Sequence, residues 1–427
     1  MKYRALNSDI AMINRREWFV LSASGLCAPL LAADPPEPQD DDAPVRLGPD
    51  GVWPSEPPSG CPFAPSKSIR GLAFTGRQTS YTNADTWYPS WASDGAMYSP
   101  WTDGEVNGVK NASGGEKATT SCAKIAGDDP LHLTVTHIGA FPGDPQPYGG
   151  RYPCGSLVHH GIWYYGTYCL LETKGLGLNW DVLGPFVGFR TSTDYGQTWT
   201  DTQHTPASPL FGEPEKAGGP VKLGAPHFVD FGRNMEHSPD GYAYLVCHGA
   251  VADDPQPRPA NLSWITADRI YLARVKPSVR TIDDRSAYEF YGGRSQGGQP
   301  LWVRDLERTQ PLFEWNNRCG CVTATYNPAL RKYLMCVTDG RNTVGKFNTF
   351  VLEAGAITGP WKLVTFMRNF GEQGYFVHFP SKFIAAGGRT AWLMYAANFT
   401  NGYLKTRYRS NPPGSRYGMC LQEVKLL

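Results

Sequence analysis

Apolar and polar positions alternate along this chain in short runs, each broken by a turn. Five units repeat the scheme of strand, tight turn and a second strand rich in Tyr, Trp, Leu and Met. They are Trp87–Ser99 around Ser93-Asp94-Gly95, Ser156–Tyr165 around His159-His160-Gly161, and Phe228–Val246 around Ser238-Pro239-Asp240-Gly241. The fourth is Val322–Met335 around Asn327-Pro328, and the fifth is Ser381–Tyr395 around Gly387-Gly388. Period-2 alternation bounded by Gly, Asn, Asp and Pro predicts β-hairpins, and no segment carries a long helical period. A further strand candidate follows each hairpin, such as Arg269–Val275, and Met419–Lys425 completes the last unit. The pattern predicts an all-β chain, a single β-propeller of four-stranded blades over residues 61–427. Five blades are counted, and the gaps at 205–225 and 292–318 leave room for up to seven.

Composition supports many strands and tight turns. The chain has 427 residues with 13 Trp, 22 Tyr, 47 Gly and 36 Pro. Its formal charge is +1 and charged residues are 19% of the total, which excludes a nucleic-acid or anionic-membrane surface on electrostatic grounds. Aromatic abundance suits sheet packing and also the stacking of rings on sugar faces.

The N-terminal segment predicts export. Arg15-Arg16 precedes a mildly apolar run, Leu21–Leu31, closed by Ala32-Ala33. This resembles a twin-arginine signal over residues 1–33, with a periplasmic or extracellular destination. The run is too short to span a bilayer, so no membrane insertion is expected. Residues 34–60, rich in Pro, Asp and Glu, read as a disordered linker. Ten cysteines include Cys27 in the signal, and no CxxC pair occurs, so buried reduced thiols are expected in the nine that remain.

Propeller geometry sorts the candidate chemistry. Residues just before the innermost strand of a blade, and just after the second, face the funnel mouth, while the turn between them lies on the far face. This promotes Asp85, Trp87, Thr102, Asp103, Arg151, Tyr152, Cys154, Tyr168, His227, His248, Arg318, Asp339, Arg341, His378 and Asn398, and demotes His159 and His160. Of these, Asp85, Trp87, Arg151, Tyr152, Tyr168, His378 and Asn398 are the expected substrate-binding set.

Two resemblances attach to particular residues. Ser192-Thr193-Asp194-Tyr195-Gly196-Gln197-Thr198-Trp199 resembles the Asp-box turn of sialidase-type propellers. Gly224–His227, Glu236–Gly241 and Cys247–Gly249 resemble the propeller lyases that cut uronate–rhamnose linkages, the ulvan and rhamnose–glucuronate lyases. Gly150–Tyr168 and Tyr288-Glu289-Phe290 before Trp302 are similar to the same group. The chain is expected to be a monomer, and that resemblance implies seven blades and a secreted lyase acting on an anionic polysaccharide. It implies a His pair, matched by His227 and His248, with a Tyr and an Arg. Tyr244, Tyr288 and Tyr291 compete for the former, with Tyr244 preferred. Arg304, Arg308, Arg318 and Arg341 compete for the latter, with Arg318 and Arg341 preferred. It also allows a Ca2+ or Zn2+ ion, with Cys247, His237 and Cys154 as candidate ligands.

In a lyase, Arg neutralises the uronate carboxylate while His and Tyr move protons. Two other readings stay open. A propeller glycoside hydrolase, sialidase-like or of the five-bladed furanosidase type, needs two facing carboxyl groups. Asp85 supplies one, with Asp103, Glu236, Asp339 or Glu372 as the other. A non-catalytic glycan-binding propeller needs neither.

Overall fold

A computed structural model describes residues 44–114, 118–142, 151–171, 182–212, 221–250, 263–340, 343–402 and 407–427. The expected export signal and Arg341 lie outside them. Five antiparallel sheets succeed one another along the chain and form a five-bladed propeller. Their innermost strands are Asn83–Asp85 with Ser90–Trp91, then Arg151–His159, Gly224–Phe228, Val322–Asn327 and Tyr375–His378. Among the described residues the helical elements are short 3-10 turns only.

Contacts between neighbouring innermost strands close the ring. Ser90 Oγ accepts from Val158 N at 2.8 Å between blades one and two. A Cβ at Gly155 would lie 2.6 Å from Pro226 O, so only glycine lets the backbones of blades two and three approach this closely. Asp230 N donates to Ala324 O at 2.9 Å between blades three and four. Thr323 Oγ1 donates to Val377 O at 2.7 Å between four and five. Tyr375 Oη donates to Asp85 Oδ2 at 2.8 Å and joins five to one.

The last blade takes its outer strand from the other end of the chain. Leu72–Tyr81 pairs antiparallel with Met419–Leu426, with Leu72 opposite Leu426 and Tyr81 opposite Met419. The expected linker is corrected here. Residues 45–55 of the expected linker pack against the closing blade and the last strand of blade four because Trp53 interrupts the Pro- and acid-rich composition. Trp53 is buried, its ring 5.4 Å from Phe74 and 5.5 Å from Phe370, and Ser55 Oγ accepts from Phe366 N at 2.9 Å. One large buried aromatic outweighs the local polar bias.

The hairpin turns are bonded to one another around the far face. His160 N donates to Asn234 Oδ1 at 2.7 Å, Lys382 Nζ to Gly95 O at 2.6 Å, and Asn327 Nδ2 to Gly388 O at 2.8 Å. An outer turn of blade two is equally well bonded. Asp194 accepts from Thr198 N at 2.9 Å and Thr198 Oγ1 at 2.6 Å, Gly196 has φ of 92°, and Trp199 Nε1 donates to Gly196 O at 3.0 Å. The nine cysteines from Cys61 onward are all free thiols, eight of them buried.

Candidate functional site

Each innermost strand starts at one face, and the residues there converge on the axis. Asp85 comes from blade one because Thr86, with φ of 66°, bends the chain between two short strand segments. Its Oδ1 accepts from Thr86 Oγ1 at 2.7 Å and its Oδ2 from Tyr375 Oη at 2.8 Å. Asp85 is 8% exposed and Tyr375 1%. Each oxygen of this buried carboxylate therefore has a donor, Thr86 Oγ1 for one and Tyr375 Oη for the other.

Tyr88 lies beside this carboxylate. Its ring sits 3.9 Å from that of His227 and 5.0 Å from that of Phe376. Burial holds its hydroxyl well above the usual tyrosine range, helped by Cys321, Tyr168, Cys154 and Asp85. Cys321 Sγ donates to Trp264 O at 2.7 Å, and the Trp264 ring packs 5.0 Å from Tyr375 and 5.5 Å from Phe376. The centre of the mouth is therefore an aromatic cage holding one carboxylate.

Three imidazoles, His227, His248 and His378, stand next to it, all buried. Burial pushes His227 well below the usual histidine range, and the neighbouring His248 and His378 add to the effect. Burial likewise lowers His248 to about 4, opposed by the Ser263 backbone. It lowers His378 to about 4, opposed by the Phe376 carbonyl, which lies 2.8 Å from Nδ1. All three are neutral at pH 7. Nε2 of His227 and of His378 have no hydrogen-bond partner among the described residues.

Further buried carboxylates stand at the entrance ends of their strands. Asp339, at the exit of blade four, accepts from Arg318 Nη1 at 2.8 Å and Asn348 Nδ2 at 3.2 Å. Asp268 accepts from Asn317 N at 2.9 Å. Glu372 pairs with Lys346 at 3.0 Å. Burial, Asp268 and Asp339 together raise the Cys319 thiol, which places both carboxylates around one buried sulfur.

The sequence-predicted residues divide sharply. Asp85, His227, His248, His378, Tyr168 and Tyr152 come together at the entrance side, with Tyr152 and Tyr168 rings 5.5 Å apart. Asn398 is spent on the rim, donating to Arg409 O at 3.1 Å and accepting from Gln373 N at 3.3 Å. The backbone of Arg151 starts its strand as expected, and its side chain lies outside the described set. Trp87 is a core residue, bonded to Ala84 O at 2.8 Å and stacked 6.5 Å from Trp101, so its expected contact with substrate is corrected.

Tyr244 is corrected too. It stands four residues before His248 on one strand, about 13 Å away at a strand's rise. Its hydroxyl donates to Asp240 Oδ2 at 2.8 Å in the far hairpin turn. Tyr288 is also structural, donating to Ile282 O at 2.7 Å from full burial. Glu236 belongs to the far face, where its Oε1 accepts from Arg233 N at 3.2 Å.

His237 is on that far face as well, 3.7 Å from Glu236, apart from the buried Cys154 and Cys247. Among the described residues, no group of three or more His, Cys, Asp or Glu is arranged to hold a metal ion.

Sequence reasoning missed Tyr88, Trp264, Asp268, Cys321 and Tyr375. Tyr375 and Cys321 directly precede or open inner strands, so the positional rule itself pointed at them. Trp264 carried no such signal, because it reaches the mouth from a connection between strands.

No family model and no curated protein matches this sequence. Solved structures are similar in overall fold. One is a GH43_1 enzyme from Xanthomonas citri complexed with xylotriose, at 13% identity over 81% of this chain and 88% of that one, TM-score 0.43. Another is an α-L-arabinofuranosidase from Podospora anserina in complex with cellotriose, at 12% identity over 90% and 98%, TM-score 0.40. A third is a xylan β-1,4-xylosidase from Bacillus halodurans, at 11% identity over 75% and 51%, TM-score 0.39.

The chain is a five-bladed propeller with neighbours among glycoside hydrolase propellers. The uronate-lyase reading is overturned. The resemblance implies seven blades where this ring closes at five, and the expected Tyr244 sits on the far face.

Proposed function

We propose that this chain is a glycoside hydrolase whose chemistry takes place at the entrance face, on an oligosaccharide drawn into the aromatic mouth. The observation that carries the reading is the Asp85 carboxylate, held by Tyr375 and Thr86 at the ring axis. Glycosidic cleavage needs one ionised carboxylate as nucleophile or base and a second carboxyl group as acid. Asp85 suits the ionised role, since both its oxygens accept hydrogen bonds that offset the cost of its burial. Its counterpart comes from Asp268, Asp339 and Glu372, which stand at the entrance ends of their strands. The neutral imidazoles and Tyr88 shape the floor and offer hydrogen bonds to sugar hydroxyls.

The test is turnover on a panel of 4-nitrophenyl pentosides and hexosides and of neutral polysaccharides, read as new reducing ends. Asp85→Asn lowers the rate by about 10²–10⁴, with folding intact. His160→Ala, in a far turn, keeps wild-type activity. Full activity in Asp85→Asn refutes the reading.

Export through a twin-arginine route belongs to the same proposal, carried by Arg15-Arg16 ahead of Leu21–Leu31. Changing both arginines to lysine leaves precursor in the cytoplasm, and normal export of that variant refutes it.

A further inference from the structure

The entrance face carries two cations that are largely buried, and each is held by a carboxylate buried more deeply. Arg318 Nη1 donates to Asp339 Oδ2 at 2.8 Å, with side-chain exposures of 18% and 0%. Lys346 Nζ lies 3.0 Å from Glu372 Oε2, with exposures of 8% and 3%. Both pairs belong to one wall. Asn348 Nδ2 donates to Asp339 Oδ2 at 3.2 Å, and Asn348 Oδ1 accepts from Asn369 N at 3.0 Å. Phe347, between Lys346 and Asn348, donates from its N to Glu372 O at 2.8 Å. Its ring packs 6.0 Å from Trp264 and 6.4 Å from Tyr375. Gln373 Nε2 fastens the same stretch, donating to Thr343 O at 3.3 Å and Gly345 O at 2.9 Å. The wall thus stands against the aromatic cage, and Tyr375 leads from it to Asp85.

The wall is held under strain. Asn369, Glu372 and Phe376 have φ of 52°, 60° and 54°. Side chains other than glycine enter that region at a cost, and such residues collect where ligands bind. Burying two ion pairs is costly as well, since a close-packed apolar wall would be at least as stable. What the pairs supply is chemical. A cation held by a carboxylate loses its net charge and keeps N–H groups to spare. The Arg318 and Lys346 side chains make no further hydrogen bond among the described residues. Such groups donate to the hydroxyls of a neutral sugar. A uronate would bring its own anion beside Asp339 or Glu372, with Asp85 beyond them, and like charges repel strongly where water is scarce.

We propose that Asp339 and Glu372 set the specificity of the mouth by cancelling the charges of Arg318 and Lys346, so that it takes neutral sugar residues and rejects uronates. The inference deepens the glycosidase reading and rests on it for a sugar as the ligand. Both carboxylates act here through the cations, as positioning residues.

The test is calorimetric titration, which needs no turnover. Neutral cello-, manno- and galacto-oligosaccharides are each compared with a partner oxidised to the carboxylate at C6, and xylo-oligosaccharides with the same chain bearing one glucuronate. Wild type binds the neutral member of its best pair at least about tenfold more tightly. Asp339→Asn and Glu372→Gln each uncover a cation and shrink that ratio by about tenfold, chiefly through tighter, salt-sensitive binding of the uronate. Arg318→Gln combined with Asp339→Asn restores the wild-type ratio, which a merely structural role for Asp339 would not do. Lys346→Gln leaves Glu372 unmatched and widens the ratio. A chain that binds in this way without cleaving loses the hydrolase reading and keeps this one. Uronate binding by wild type as tight as that of the neutral partner overturns the proposal with no variant needed, as does failure to bind any member of any pair. An unchanged ratio in the folded single variants overturns it too.

Discussion

The two faces of this propeller are built on opposite principles. On the entrance face, polar groups are buried together: Asp85 beneath Tyr375, and three imidazoles whose burial keeps them neutral, with Nε2 of each lacking a partner among the described residues. On the hairpin face, polar groups are bonded to the next blade's turn, as His160 to Asn234 and Asn327 to Gly388 are. Buried, poorly satisfied groups cost stability, and sites of chemistry concentrate them. One face thus carries the strain of function while the other holds the ring together.

Acid breaks this contrast most strongly. An unfolded chain protonates its histidines near pH 6.5, whereas His248 and His378 resist protonation down to about 4 when folded. Below pH 6.5 the unfolded state binds more protons, so stability is full above that pH and drains away as it falls towards 4. Each of these two groups contributes up to about 3 kcal/mol of loss. Urea titrations at pH 7, 5.5 and 4.5 measure it, and a double His248→Gln, His378→Gln variant flattens the profile. An unchanged profile in that variant removes the imidazoles as its source.

Tyr375→Phe is the next largest. It removes one of the two donors to Asp85 and costs about 1.5–3 kcal/mol of the carboxylate's stabilisation. The acid limb of kcat/KM moves up by about one pH unit or more, because the protonated carboxyl gains ground. A purely structural role for Tyr375 would lower the amount of folded enzyme without moving that limb.

The hairpin face answers differently. Gly388 has φ of 72°, and a Cβ there would lie 2.7 Å from Asn327 Oδ1 and 2.9 Å from Ala329 Cβ. Gly388→Ala costs about 1–3 kcal/mol of stability through that strain and leaves kcat unchanged. A drop in kcat with unchanged stability would reverse the assignment of the faces.

The fold was legible because hairpins announce themselves locally. Turn residues such as Ser93-Asp94-Gly95 and Gly387-Gly388 follow apolar runs, and the second strand of each of the five units falls in its own sheet, although Ser381–Phe383, expected as strand, forms a 3-10 turn after the inner strand Tyr375–His378. Part of the site was legible for the same reason, since strand polarity assigns Asp85, His227, His248 and His378 to one face. What was hidden depended on contacts remote in sequence. Tyr244 looked suitable until its hydroxyl was seen on Asp240, and Trp53 made a packed segment out of residues that read as linker. Trp264 reaches the mouth across blades, and no local pattern encodes that.

The seam of the last blade has a consequence for how the molecule is made. Thr75 and Glu423 are hydrogen-bonded across a sequence separation of 348 residues. A ribosome releases the first of these strands long before the second exists. Until then Leu72–Tyr81 has no partner edge, and the fifth sheet lacks its rim. Pairings of such long range form late and slowly, because chain entropy must be surrendered before they repay it. The chain therefore leaves synthesis as an open arc of nearly finished blades, and the act that turns the arc into a ring is the last one. A permuted gene, with the original ends joined and the break moved between two interior blades, makes that rim local and shifts the slow step to the new gap.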